Sequence, residues 1–187
     1  MQVVKESDEV IQTKSNLLIR YIYKMKGYKR TTPLVAPVPF DIILSLLGTI
    51  IGISAIVILS HRFDMSVMAS FGASAVLVFG VPDAPMAQPR NVIFGHTLSA
   101  VAGVVTVVLF GLTWWSPAVG TALALLLMLL TKTTHPPGGA TALFAVLSQE
   151  HFSYVFTPVM AGAVILVIIG LVFNNLSPNR HYPRYWY

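Results

Sequence analysis

An all-α membrane fold of six hydrophobic segments, four long and two short and broken, arranged as two inverted three-segment repeats, is predicted by three observations. Apolar residues make up 55% of the 187-residue chain and charged residues only 10%, a balance foreign to water-soluble domains. Uncharged runs recur at lengths that cross a hydrocarbon core of roughly 30 Å at about 1.5 Å per helical residue. Finally, the string Thr134-His135-Pro136-Pro137-Gly138-Gly139-Ala140-Thr141 sets two prolines and two glycines inside an otherwise hydrophobic stretch. Such a break in lipid exposes backbone polar groups that only protein or a water-lined cavity can satisfy. It therefore marks a site.

The elements follow in chain order. Residues 1–39 form an N-terminal segment in which Val10, Ile11, Leu17, Leu18, Tyr21, Ile22 and Met25 recur at helical spacing, with Lys14, Arg20, Lys24 and Lys26 between them. An amphipathic helix on an anionic inner leaflet is expected, a basic tail being the plainer alternative. Met1 to Glu9 carries three acids and no apolar core, unlike a cleavable signal. Pro33, Pro37 and Pro39 stop that helix, and Asp41, expected to face the cytoplasm, opens a transport domain over residues 40–174. Three runs there are long enough to span: Phe40 to Leu59, Val92 to Trp114 and Val155 to Phe173. Pro117 to Leu130 is a shorter, uncharged fourth. Val67 to Val81 and Pro137 to Leu147 fall below spanning length and read as half-helices. Residues 175–187 end in Arg180-His181-Tyr182-Pro183-Arg184-Tyr185-Trp186, an aromatic-basic cluster of the kind that anchors at an interface.

Charge placement orients the chain. With six crossings, Lys and Arg number eleven on one side against Arg62 alone on the other; with both short segments re-entrant the split is nine against three. Six crossings satisfy the positive-inside rule better, and both topologies put the two termini in the cytoplasm of a multi-pass protein of the inner, or plasma, membrane. The net charge of +5 thus reflects membrane orientation, with no nucleic-acid partner implied. Cysteine is absent, which excludes disulfides and thiolate chemistry.

Gly72-Ala73-Ser74-Ala75 in the first short segment matches Gly139-Ala140-Thr141-Ala142 in the second. The chain divides around these copies into repeats 40–114 and 117–173, and three crossings in each half invert the second. Inverted repeats with broken helices are a transporter architecture whose substrate sits near the midplane, between the breaks. A helix that starts inside the membrane presents unpaired N–H groups and a positive dipole end, so two such ends make an anion site without a buried cation. The expected substrate-binding residues are Ser70, Gly72, Ala73, Ser74, His135, Pro136, Pro137, Gly138, Gly139 and Thr141. Pro136 or Pro137 suits a first helical position, the glycines admit close backbone approach, and the hydroxyls donate. Small residues also serve close helix packing.

Asp41 apart, no acidic or basic residue interrupts the four longer runs, which disfavours cation pathways. His96 and His135 sit at or within membrane segments and offer either donation to an anion and proton coupling, or structural hydrogen bonds. No His or carboxylate pair shows metal-ligand spacing, so neither a metal nor another cofactor is expected. In the linker Pro82 to Asn91, Gln88, Arg90 and Asn91 are placed at a vestibule where Arg90 attracts anions.

The Thr-His-Pro-Pro-Gly-Gly-Ala-Thr-Ala string, Gly-Ala-Ser-Ala-Val-Leu at residues 72–77, Pro-x-Ala-Gln-Pro-Arg-Asn at 85–91 and the terminal Arg-His-Tyr-Pro-Arg-Tyr-Trp together resemble the HPP family of integral membrane proteins, over Pro39 to Trp186. The resemblance implies transport of nitrite, the substrate associated with cyanobacterial and plastid members, and four transmembrane helices rather than six. The functional expectation is transport of a small inorganic anion, with nitrite first, by a homo-oligomer in contact with lipid. The alternatives are an intramembrane enzyme using His135 as base, for which no catalytic constellation converges on the break, and a non-transporting membrane subunit.

Overall fold

Proline stands first or second in four of the six helices among the described residues, where its missing N–H has no intrahelical partner to lose and its fixed φ suits the opening turn. The computed structural model describes residue 25, residues 38–62 and residues 69–186. These form α1 (Pro39–Arg62), α2 (Ala69–Gly80), α3 (Pro89–Phe110), α4 (Ser116–Thr131), α5 (Pro137–Leu147) and α6 (Phe152–Asn175), with no strand among them. The amphipathic helix expected ahead of the first span lies outside the described residues.

Helices α1, α3 and α6 are long and apolar enough to cross a membrane. The fourth long segment, α4, has 16 residues, about 24 Å at 1.5 Å per residue, and falls short of them. Its end is built in: Lys132 adopts φ 57°, while the N–H groups of Lys132 and Thr133 turn back to Leu129 O and Met128 O at 3.2 and 2.9 Å. That is a left-handed cap on a non-glycine residue. The last five residues of α2, Val76–Gly80, widen into a π turn. In α6 the helix breaks at Thr157 (φ −139°, ψ 115°), because the following Pro158 disfavours helical geometry in its predecessor and supplies no N–H.

Close contacts at glycines fix the direction of each helix. A Cβ on Gly48 of α1 would meet Phe173 of α6 at 3.3 Å, and one on Gly52 would meet Leu166 at 3.1 Å, so α1 and α6 are antiparallel. Gly162 against Phe71 and Gly170 against Val78 set α6 parallel to α2. Gly95 against His135 and Gly103 against Ala145 set α5 parallel to α3. The Ser99–Met128 contact and the approach of Gly120 to Thr106 make α4 antiparallel to both. Between these helices Phe71, Val78, Phe79, Val92, Val104 and Leu166 are fully buried.

Neither short helix reaches across a core of roughly 30 Å: α5, with 11 residues, is about 16 Å long. Its first turn lies level with Gly95, because a Cβ on Gly138 would stand 2.8 Å from Gly95 O. Gly95 is six residues into α3, or about 9 Å along it, so α5 starts well inside the span of α3.

The chain end, read from sequence as an interfacial anchor, also packs back onto the helices. Arg180 donates through Nη1 to Phe79 O and Asn174 Oδ1, both at 3.1 Å, and through Nη2 to Asp41 O at 3.1 Å and Ser45 Oγ at 3.0 Å. Its Nε lies 3.7 Å from the Asp41 carboxylate. One guanidinium thus ties the C-terminus of α2 to the N-terminus of α1, where the five-donor fork can serve several acceptors at once. Asp41, expected at the cytoplasmic surface, is buried and accepts the Ser177 hydroxyl at 2.5 Å. Tyr182 is buried too, donating to Ala87 O at 2.8 Å, and burial pushes its phenol above the ordinary tyrosine range. Tyr185 and Trp186 remain exposed.

Candidate functional site

Two residues one helical turn apart on α2, Ser70 and Ser74, face α5 and the loop before it, since residues at i and i+4 share a face. Against them come His96 from α3, Thr141 from α5 and His135 from the α4–α5 loop. Ser74 Oγ lies 2.7 Å from His96 Nε2 and 2.8 Å from His135 Nε2. His96 Nδ1 lies 2.8 Å from Thr141 Oγ1, which lies 3.1 Å from Ser70 Oγ. His135 Nδ1 reaches Met86 O at 2.7 Å. The two imidazole rings are 4.8 Å apart, and Phe71 packs 4.9 Å from His96. Ser74, His96, His135 and Thr141 have no solvent exposure and Ser70 has 4%. Every polar atom of this cluster has a partner, as burial demands.

The Pro-Pro-Gly-Gly break builds the cluster by steric means. Pro137 opens α5 after Pro136, and the absence of a side chain at Gly95 and Gly138 brings the loop onto α3. A Cβ at Gly95 would stand 2.5 Å from His135 Cβ, and one at Gly138 would stand 2.7 Å from Ser99 Oγ. Gly138 therefore serves helix packing rather than approach of backbone to a ligand. The break also uses up its own donors. Pro136 and Pro137 carry no N–H, and the next two N–H groups, of Gly138 and Gly139, turn back to His135 O and Pro136 O at 2.9 and 3.0 Å. An anion cradled by the free N–H groups of α5, as expected from sequence, is not what this terminus offers.

Other expected residues divide. Gly72 and Ala73 lie on the exposed outer face of α2, and a Cβ on Gly72 would meet nothing within 4 Å, so neither joins the cluster: helical geometry turns them away from Ser70 and Ser74. Gly139 is half-buried toward Thr121 of α4. Gln88, placed at a vestibule from sequence, is instead fully buried as a loop clamp: its Nε2 donates to Pro82 O at 2.8 Å and Ala84 O at 3.1 Å, and its Oε1 accepts Arg184 N–H at 2.7 Å. Arg184 in turn donates to Asp83 at 2.6 Å, which raises its pKa.

Arg90 and Asn91 do line an open cleft of about 470 Å³, together with Met86, Lys132, Thr134 and Tyr185. Arg90 Nη2 donates to Thr131 O and Asn91 Nδ2 to Thr134 O, both at 2.9 Å. The cleft carries two cations, and Met86 and Thr134 on its wall are the residue that accepts the His135 N–H and the residue next to His135. A positive recess thus sits directly over the hydroxyl–imidazole cluster. Gly95 was not among the residues singled out from sequence, although Gly95, Ser99 and Gly103 repeat a small residue every fourth position, the pattern of close-packed membrane helices.

The break, the paired short helices and the C-terminal Arg180 tie all lie within residues 35–183, which the family model described as "HPP, transmembrane region" matches. The chain belongs to the HPP family. Two transmembrane proteins of Dictyostelium discoideum are similar to this HPP protein, each 38% identical, over 185 and 182 residues. These matches cover 91% and 90% of this chain but 64% and 58% of the relatives, so the HPP chain spans less than two thirds of either relative's length. No solved structure matches the HPP chain at a significant level.

Proposed function

We propose that this HPP protein transports a small inorganic anion, nitrite first among them, across the cell membrane. The observation that carries the reading is the basic cleft of Arg90 and Lys132 abutting, through Met86 and Thr134, a wholly buried cluster of two imidazoles and three hydroxyls. A cleft of one sign of charge concentrates counter-ions, and intramembrane ionisable groups are costly enough to be kept for function. On this reading the anion is met by the cleft cations, Arg90 and Lys132, with the buried imidazoles and hydroxyls behind them, and the N–H groups of α5 take no part. Nitrite rests on the resemblance of the chain to HPP members associated with it.

Reading α1–α3 and α4–α6 as inverted repeats is supported by the opposite directions of α2 and α5, whose Ser70–Thr141 and Ser74–His135 pairings run antiparallel. A second copy of the chain packing on the small outer face of α2 at Gly72 and Ala73 fits the same picture. The enzyme reading has one point in its favour, the reach of Ser74 Oγ to a histidine nitrogen. Against it stand the closure of that hydroxyl from any cavity and the spent donors at the start of α5, which leave no oxyanion hole there.

The test is uptake of nitrite, nitrate, formate and chloride into proteoliposomes by the parent, by Arg90→Gln and by His135→Ala. Nitrite uptake that weakens in affinity in Arg90→Gln and collapses in His135→Ala is expected. Failure of all four anions to enter, or parent-like uptake by both variants, overturns transport.

A further inference from the structure

Hydrogen-bond bookkeeping gives the cluster a direction. Met86 O can only accept, so His135 Nδ1, 2.7 Å away, carries a proton. In the neutral ring His135 Nε2 is then bare and must accept, and the Ser74 hydroxyl, 2.8 Å away, is the donor in reach; its other acceptor, Ser70 O, is longer at 3.1 Å. Ser74 has one proton, so His96 Nε2, at 2.7 Å, must donate to the Ser74 oxygen. His96 Nδ1 is then bare and accepts from Thr141 Oγ1–H at 2.8 Å. The network thereby assigns opposite tautomers to the two rings, fixed at one end by a backbone carbonyl. Ser70 Oγ, at 3.1 Å, is a second and longer acceptor for the Thr141 proton, and donation to His96 at 2.8 Å is the choice that leaves no buried imidazole nitrogen unpaired.

We propose that Thr141, His96, Ser74 and His135 form a one-way-primed proton relay that delivers one proton with each anion to the basic cleft, an assignment that rests on the anion-transport reading above. A proton arriving at Thr141 Oγ1 displaces that hydroxyl's own proton onto His96 Nδ1. His96 then passes its Nε2 proton to Ser74 Oγ, and Ser74 passes its own to His135 Nε2. The result is a neutral His96 with its tautomer reversed and one imidazolium at His135. His135 releases its Nδ1 proton past Met86 to an acceptor in the cleft, the anion itself, so one proton enters and one leaves, and the rings and hydroxyls then turn to restore the starting tautomers before the next proton. Two positive rings 4.8 Å apart repel in a low-dielectric setting, so the relay holds one excess proton at a time.

The surroundings leave the relay its own charge. From α2 it is faced by Ser70 and Ser74, from α5 by Thr141, and from α6 by the Tyr154 phenol, which donates to Thr141 O at 3.3 Å. The nearby cations are Arg90 of α3 and Lys132 of the α4–α5 loop, both at the cleft. Of the described carboxylates, Asp41 is engaged with Arg180 and Asp83 with Arg184, while Glu150, past the end of α5, bears on the Tyr154 phenol.

The experiment has two arms on the full chain in lipid bilayers. In the first, solid-state ¹⁵N NMR of labelled histidine, assigned with His96→Gln and His135→Gln, is expected to show His135 protonated at Nδ1 and His96 at Nε2. The same tautomer on both rings, or the reverse pair, overturns the relay. In the second, nitrite uptake is recorded together with internal pH. Entry of the anion with one proton is expected. Ser74→Ala is expected to lose uptake driven by a pH gradient by about a hundredfold, the order that a positioned proton-transfer group contributes. Ser74→Thr, which keeps the hydroxyl, is expected to restore coupling and so separates loss of the relay from misfolding. Anion uptake without a proton, or full coupling in Ser74→Ala, overturns the relay and leaves transport standing. Absence of anion uptake altogether overturns both, and the NMR arm then shows whether the chain of bonds exists as a structural clasp.

Discussion

Replacing Gly95 by alanine pushes one methyl group into the seam between α3 and the His135 loop. The new Cβ would stand 2.5 Å from His135 Cβ and 3.1 Å from Thr133 O, where ordinary contact begins near 3.4 Å. The loop must give by roughly 1 Å, and Pro136 and Pro137, with fixed φ, limit how it can. A shift of that size lengthens the 2.8 Å Ser74–His135 contact past the range of a hydrogen bond. Overpacking costs about 1–3 kcal/mol and an unpaired buried partner about 1–3 kcal/mol more, offset by about 1 kcal/mol gained when alanine replaces glycine in a helix. A net loss of about 1–5 kcal/mol, centred near 3, lowers the melting temperature by roughly 2–20 °C in a chain of this size. Gly72→Ala is the matched control, since its Cβ meets nothing within 4 Å and only the helix gain of about 1 kcal/mol remains. Thermal unfolding of both variants in one detergent, followed by circular dichroism, decides the matter. Should Gly95→Ala melt at or above Gly72→Ala, the close seam does not exist, and the His135 placement built on it goes too.

Further outcomes follow from the ties around the site. Arg180→Ala strands the buried Asp41 carboxylate and several carbonyls, costing about 3–5 kcal/mol, and Arg180→Lys is expected to recover less than half of the lost melting temperature because an ammonium cannot span those acceptors. Glu150, in the α5–α6 loop, has its pKa raised chiefly by burial, with His151 opposing. Its neutral form is therefore the one the fold favours, so the stability it adds is present below the usual carboxylate range and lost as pH rises through the raised pKa. Glu150→Gln is expected to melt higher than the parent at neutral pH, with the gap closing in acid; an unchanged gap in a pH series of melts counts against the burial. Lys132 and Gln149 both hold positive φ, 57° and 53°, at the ends of α4 and α5, so Lys132→Gly and Gln149→Gly each relieve about 1 kcal/mol of backbone strain. Lys132→Gly alone removes a cation from the cleft, so it alone is expected to raise the KM of anion uptake; equal KM in the two variants removes Lys132 from anion recruitment.

Helix positions were legible because a spanning length and a proline are local facts. The start of the second short helix at Pro137 coincides with the sequence expectation, since a residue lacking an N–H suits that position whatever surrounds it. The convergence of Ser70, Ser74, His96, His135 and Thr141 was legible in part, because polar groups in an apolar run must find one another. What sequence could not reveal was how far the two short helices slide past each other. Nor could it tell an arginine at a membrane surface from Arg180, which reaches Asp41 across 139 positions. Composition is the same in both cases, and long-range contact alone separates them.

The slide of the short helices decides the chemistry. Had α2 and α5 met tip to tip, their N–H groups would have faced a common space and the site would have been a backbone cradle for an anion. They instead overlap by more than a turn, which sets the flank of each against the other: Thr141, in the second turn of α5, meets Ser70, and Ser74, in the second turn of α2, meets His135. Flanks offer side chains where tips offer backbone. A side-chain site can contain imidazoles, and two imidazoles joined through a hydroxyl can hold a proton in a way that amide groups cannot. The same two prolines that end the backbone's supply of donors at Pro137 position the ring of His135, so loss of the dipole site and gain of the proton-bearing one are consequences of one sequence element.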